Sequence, residues 1–290
     1  MKKNLSLAIL LLAVFTLAAQ DNKEYTVNGV TFKMVYVEGG SFTMGCTKDQ
    51  GLPEVRGGDC EADEQQHSVS VGSFWMGETE VTQALWQVVM GTTVREQRQK
   101  TTAEWPLRVE GEGPEYPIYY VSWVECMRFC EKLNSLLADK LPAGYRFALP
   151  TEAQWEYAAR GGKNASPYKY SGSNNIDNVA WYVSNSDNGD VTSSLNYGSR
   201  SVKGQKPNAL GLYDMSGNVW EWCADWYSAD YYSVSSSENP KGPASGSERV
   251  LRGGSWGTHA RHCRLSNRHY KAPDTRDGQF GFRLSLVRSE

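Results

Sequence analysis

The chain has 290 residues, with 30 Lys and Arg against 33 Asp and Glu and a formal net charge of −3. With no long basic run, this balance argues against nucleic acid or an anionic lipid surface as a partner. The 10 Trp and 16 Tyr supply enough large apolar area for a sizeable core, although many segments are polar.

Lys2 and Lys3 precede an apolar run from Leu5 to Ala19 that ends in small residues. This reads as a secretory signal peptide over 1–19, too short and wrongly flanked for a membrane span. The protein is therefore expected to be exported, periplasmic or secreted, with no span after cleavage. Residues 24–290 show no internal linker and are read as one domain.

"TFKMVYVEGGSFTMG" alternates apolar residues and predicts two short strands around Gly39 and Gly40, in an antiparallel start. Thr82 before "QALWQVVM" and Gly91 after it bound a first helix. Ser122 with Glu125 makes a capping box ahead of "CMRFCEKLNSLL", whose Cys126, Phe129, Cys130 and Leu133 recur at helical spacing. Thr151 with Gln154 makes another ahead of "WEYAAR", which Gly161 and Gly162 stop.

From 163 to 250 the chain turns rich in Asn, Ser, Gly and Asp, with aromatic islands at 180–182 and 219–227, and reads as long polar loops pinned by Trp residues. Such loops in a compact domain call for fastening by ions, disulfides or ligands. "FGFRLSLV" alternates again and predicts a terminal strand. The class expected is α+β, with short antiparallel strands and few helices.

An exported chain with 6 cysteines is expected to pair them. Cys46 with Cys60 would close a polar, glycine-rich loop. Cys126 and Cys130, four apart in a helical stretch, read as unpaired core thiols.

"MVYVEGGSFTMG", "ETEVTQALW", "PIYYVSWVECMRFCEKLN", "LPTEAQWEYAARGG", "GLYDMSGNVWEW", "RVLRGGSW" and "GFRL" follow one another in this order. Together they resemble the formylglycine-generating enzyme family, also called the sulfatase-modifying factor family. The resemblance implies a single large domain with an elaborated C-type-lectin-like fold, little regular structure and bound calcium. It would put Ca²⁺ on the side chains of Asp214 and Glu221 and the carbonyls of Gly217 and Val219, hard oxygen ligands that suit this ion. The family usually has Asn where Asp214 stands.

Enzymes of this family oxidise the cysteine of a C-x-P-x-R sulfatase signature to formylglycine, using O₂ and a Cu(I) held by two thiolates, soft ligands that suit Cu(I). Their loop reads G-G-S, two residues, Cys, four residues, Cys. Counted forward from Ser255, the copper positions fall at Thr258 and Cys263, so one thiolate is replaced by a hydroxyl. Counted back from Arg264, Arg268, Pro273, Asp274 and the "GFR" at 281–283, they fall at Ser255 and Ala260, and Cys263 matches neither. On that count Cys263 is expected to be structural, with Cys223 as its disulfide partner.

The first function expected is a non-oxidase binding or scaffold protein whose C-terminal loop, 256–280, meets a protein or small-molecule ligand. Its expected contacts are Trp256, Thr258, His259, His262, His269, Tyr270 and Asp277. Proteins diversified by retroelements also use this fold, with the variable segment in the same place. The alternative is a divergent formylglycine-generating oxidase acting on a sulfatase-like substrate, with Cu(I) and with Cys263 and Ser255 at its centre. A third reading is a subunit of an envelope or secretion assembly.

Overall fold

The computed structural model describes residues 21–47, 60–101, 109, 111–187 and 197–289; the expected signal peptide lies outside them. Strands β1 (Lys23–Val27) and β2 (Val30–Val37) form an antiparallel hairpin. Its turn is Asn28-Gly29, both at positive φ, the backbone a tight two-residue hairpin requires. β3 (Gly40–Met44) follows directly but pairs with β4 (His67–Val71), so the strands on either side of Gly39 belong to different sheets.

β5 (Phe74–Gly77), β6 (Tyr145–Ala148) and the terminal β11 (Ser285–Arg288) complete an antiparallel sheet in the order β1-β2-β5-β11-β6. Helices α1 (Gln83–Met90) and α3 (Trp123–Leu136) begin at Thr82 and Ser122 as their caps predict. Their apolar stripes help build a core with this sheet, in which Trp86 stacks on Phe129 at 5.6 Å and Phe282 meets both rings edge-on. Cys126 and Cys130 are free thiols in this core. A short α2 (Val94–Gln99), capped by Thr93 and Glu96, lies between the two helices and was not anticipated.

The stretch expected to be loop around 219–227 is in part strand β7 (Trp220–Trp226). It pairs antiparallel with β8 (Arg249–Arg252) and parallel with the two-residue β10 (Phe280–Gly281), and β8 pairs with β9 (Arg268–Lys271). Helix α4 (Glu152–Ala159) packs against β3, β4, β7 and β8 over a second core that holds Phe74, Trp155 and Tyr157. The fold is α+β. Among the described residues, no helix is long and apolar enough to cross a membrane.

Cys46 and Cys60 are joined in a disulfide, as expected. Cys223 and Cys263 are not: both are free and buried, Cys223 in the core beneath α4 and Cys263 in a separate cluster with Tyr170, Ile176 and Val179. Each thiol is satisfied as an apolar filler, so the expected pairing is corrected.

Candidate functional site

The loop between β8 and β9 is closed at its base by the cross-strand pair Arg252 and Arg268. Both guanidiniums are buried, and both bond the Glu152 carboxylate at the start of α4, Arg252 Nη1 at 3.3 Å and Arg268 Nε at 2.7 Å. Arg252 also pairs with Glu156, one turn along the same helix. Further along, Arg264 Nη2 donates to buried Glu64 at 2.6 Å, and Ser266 and Asn267 donate to the same carboxylate. Arg252, Arg264 and Arg268 are thus buried anchors. Their partners lie roughly a hundred residues or more away in sequence, where spacing gives no signal.

Inside the loop, Gly254 has φ +78, and a Cβ there would lie 2.6 Å from Cys263 Sγ. Glycine is therefore required for the chain to pass over the thiol. Thr258 Oγ1 accepts from Ser255 N at 2.9 Å, donates to the Ser255 carbonyl at 3.0 Å, and lies 3.9 Å from Cys263 Sγ. The geometry thus brings together the two positions of the forward count. Burial pushes the Cys263 thiol up to about 12. Ser255 Oγ donates to Gln279 at 2.5 Å, which ties the loop to the segment before β10.

The expected contact residues fall into two groups. Trp256 Nε1 donates to the Gly278 carbonyl at 3.1 Å, and Asp277 accepts from Gln279 N at 2.9 Å, so these residues with Thr258 brace the loop. His262, His269 and Tyr270 instead line a cleft of about 660 Å³, with Tyr227, Arg268 and the 61–65 segment on its other sides. Tyr270 stacks on Tyr227 at 3.9 Å, and His269 lies 4.9 Å from Trp220. Burial lowers His262 and takes His269 down to about 4, so the His269 ring is neutral at physiological pH. His259 is exposed and apart from the cleft. Among the described residues, the one group of three His, Cys, Asp or Glu ligand atoms close enough to share an ion is Cys46, Cys60 and Glu64, whose cysteines form the disulfide.

In "GLYDMSGNVWEW", Asp214 takes φ +57 and Gly217 φ +80, turning the backbone tightly under Trp181. Asp214 Oδ2 accepts from Lys203 N at 2.8 Å, whereas its buried Oδ1 has no partner. Glu221 accepts two bonds from Arg283 and one from Trp155 Nε1, which leaves about one of a carboxylate's roughly four lone-pair sites. Glu80, unnoticed in the sequence, is buried beside them and accepts from Asn218 Nδ2 at 2.7 Å and Val219 N at 3.0 Å. Burial and its acidic neighbours raise Glu80 well above the usual carboxylate range, and burial raises Asp214 to about 6. Three buried carboxylates here face the single buried guanidinium of Arg283.

A family model described as the sulfatase-modifying factor enzyme 1-like domain matches residues 18–288. The chain belongs to this family. It is 31% identical to the formylglycine-generating enzyme of Streptomyces coelicolor over 87% of its own length and 88% of that protein. It is 32% identical to the chaperone protein LppX of Paenibacillus barcinonensis over 72% of its length and 80% of that protein. Among solved structures, Treponema denticola variable protein 1 matches with a TM-score of 0.73 and 32% identity, covering 92% of this chain and 99% of the other. That structure shares the fold described above, so the α+β, lectin-like class expected from the sequence holds.

Proposed function

We propose that this protein is a non-oxidase member of its family, exported from the cytoplasm, that binds a ligand through the β8–β9 loop and its adjoining cleft. One observation carries this reading. On the count forward from Ser255 the two thiolate positions hold Cys263, a buried thiol whose burial disfavours ionisation, and Thr258, whose hydroxyl is spent on the Ser255 backbone; on the count back from Arg264 they hold Ser255 and Ala260, and neither is a cysteine. A hydroxyl is hard and rarely ionised, so neither pair suits Cu(I). A Cu(I) competition titration tests it. Binding no tighter than that of a Cys263→Ser variant is expected, and a thiolate-to-copper site of high affinity would restore the oxidase reading, which the Streptomyces relative otherwise favours.

Asp214 and Glu221, with the carbonyls of Gly217 and Val219, are proposed to hold Ca²⁺. The unpartnered Asp214 Oδ1 and the surplus of buried carboxylates over Arg283 support it. The ion would supply charge balance and fix the backbone between Asp214 and Glu221. The likeness to the Treponema variable protein also favours a diversified recognition segment between Arg252 and Phe282. The gene tests that reading: a nearby near-copy of the segment supports it, and the lack of one removes it.

A further inference from the structure

The cleft beside β9 is built before any ligand arrives. One wall is the segment after Cys60, which the disulfide ties to the end of β3. Cys46 N donates to the Glu64 carbonyl at 2.9 Å and Gln66 Nε2 to the Cys46 carbonyl at 2.7 Å, while the Glu64 carboxylate holds Arg264 from below. The opposite wall is β9 itself, hydrogen-bonded to β8 along its length. A cleft with walls fixed in this way gives up little conformational entropy on binding.

Its surface combines aromatic faces with an acidic rim. Tyr227 and Tyr270 stack at 3.9 Å with an interplanar angle of 19°, and Tyr270 is 38% exposed. Glu61, Asp63 and Asp230 also line the cleft, as do Arg268 and Lys271. Arg268 spends Nε and Nη2 on both oxygens of Glu152, and its Nη1 lies 3.9 Å from Asp63 Oδ2, which also accepts from Tyr227 Oη at 2.8 Å. Among the described residues, Glu61 and Asp230 then share the rim with the ammonium of Lys271. Burial first, and then the neighbouring Glu64, raise Glu61, against the opposing pull of Arg264. The two histidines add no positive charge where burial keeps them neutral.

We propose that this cleft takes the cationic side chain of an arginine- or lysine-bearing polypeptide segment, laid on the Tyr270 face and paired with the acidic rim. A guanidinium or ammonium over a tyrosine face gains from the ring quadrupole, and the rim carboxylates add charge-assisted hydrogen bonds. An acidic segment meets like charge at Glu61, Asp63 and Asp230. This assignment rests on the recognition reading above and names its ligand class.

The test is calorimetric titration of the disulfide-intact protein with hexa-arginine, with hexaglutamate as the control. Hexa-arginine is expected to bind, more weakly at high salt, and hexaglutamate not to bind. Tyr270→Ala and Asp230→Asn each reduce the affinity by about tenfold. Both side chains are exposed, so neither variant disturbs the core. No binding of hexa-arginine overturns the proposal, as does binding that both variants leave unchanged. If hexa-arginine fails and the Cu(I) titration also finds no site, the ligand class is wrong and the non-oxidase reading stands. A high-affinity Cu(I) site removes that reading and this proposal with it.

Discussion

Thr258 Oγ1 lies 3.9 Å from Cys263 Sγ, a hydroxyl facing a thiol across the turn that Gly254 and Ser255 open. In that position a second thiol would complete a pair. Thr258→Cys is therefore expected to tighten Cu(I) binding by at least about tenfold over wild type, because two thiolates replace one thiol and one hydroxyl. Competition against a Cu(I) chelator measures it. Equal affinities for the two proteins would show that the positions do not act together.

The Glu64–Arg264 pair holds the cleft wall to the loop, with both side chains buried. Glu64→Gln leaves the Arg264 guanidinium buried without its counter-charge, a change that costs about 3–5 kcal/mol. Urea denaturation reads the loss, and amide exchange at 264–268 should quicken more than in the sheet β1-β2-β5-β11-β6. A loss under about 1 kcal/mol would mean that the pair is solvated.

Burial raises Asp225 from an ordinary value of 3.8 to about 8, with Glu152 adding to the effect. The folded state then keeps a proton that the unfolded state has released between those values. Stability from this group is accordingly greatest in acid and falls as pH rises through that window, by at most about 1.4 kcal/mol per unit. Asp225→Asn keeps an oxygen for Glu152 N, now bonded at 2.8 Å, and removes the titration. The variant's advantage in melting temperature should be small at pH 4.5 and clear at pH 8. A difference that does not change with pH contradicts the assignment.

Removing Ca²⁺ bears on the cluster around Asp214. Wild type should melt at a lower temperature in excess chelator than in millimolar Ca²⁺, by mass action on the folded state. Asp214→Ala should lose that difference. A wild-type protein that melts identically in both conditions counts against the ion.

Much of the fold was legible because local chemistry announced it. Thr82, Ser122 and Thr151 cap three helices at the positions where they occur. Helix α2 escaped notice although Thr93 and Glu96 form the same capping box, since "VREQRQ" carries no apolar stripe behind it. Strand β7 escaped because most of "WEWCADW" is buried, which erases the alternation that marks a half-exposed strand.

The site was legible in part. The loop and the Cys46–Cys60 bridge stand out in the sequence, but Glu64, Glu152 and Glu221 reach their arginines only through the fold. A lone buried thiol and half of a disulfide look alike in sequence, so the sequence suggests a Cys223–Cys263 bridge that the fold does not make. β9 places His269 and Tyr270 in a cleft that His262 joins from the short helical turn Ala260–Cys263, whereas Trp256 and Asp277, near them in the chain, turn to bracing the backbone.

The central claim is that the oxidase chemistry of the family is missing from this chain. The most direct measurement incubates the purified, copper-treated protein with O₂ and a peptide carrying C-x-P-x-R, and follows the peptide mass for conversion of cysteine to formylglycine. The account predicts unchanged peptide. Formylglycine that accumulates with wild type and is abolished by Cys263→Ser would contradict it.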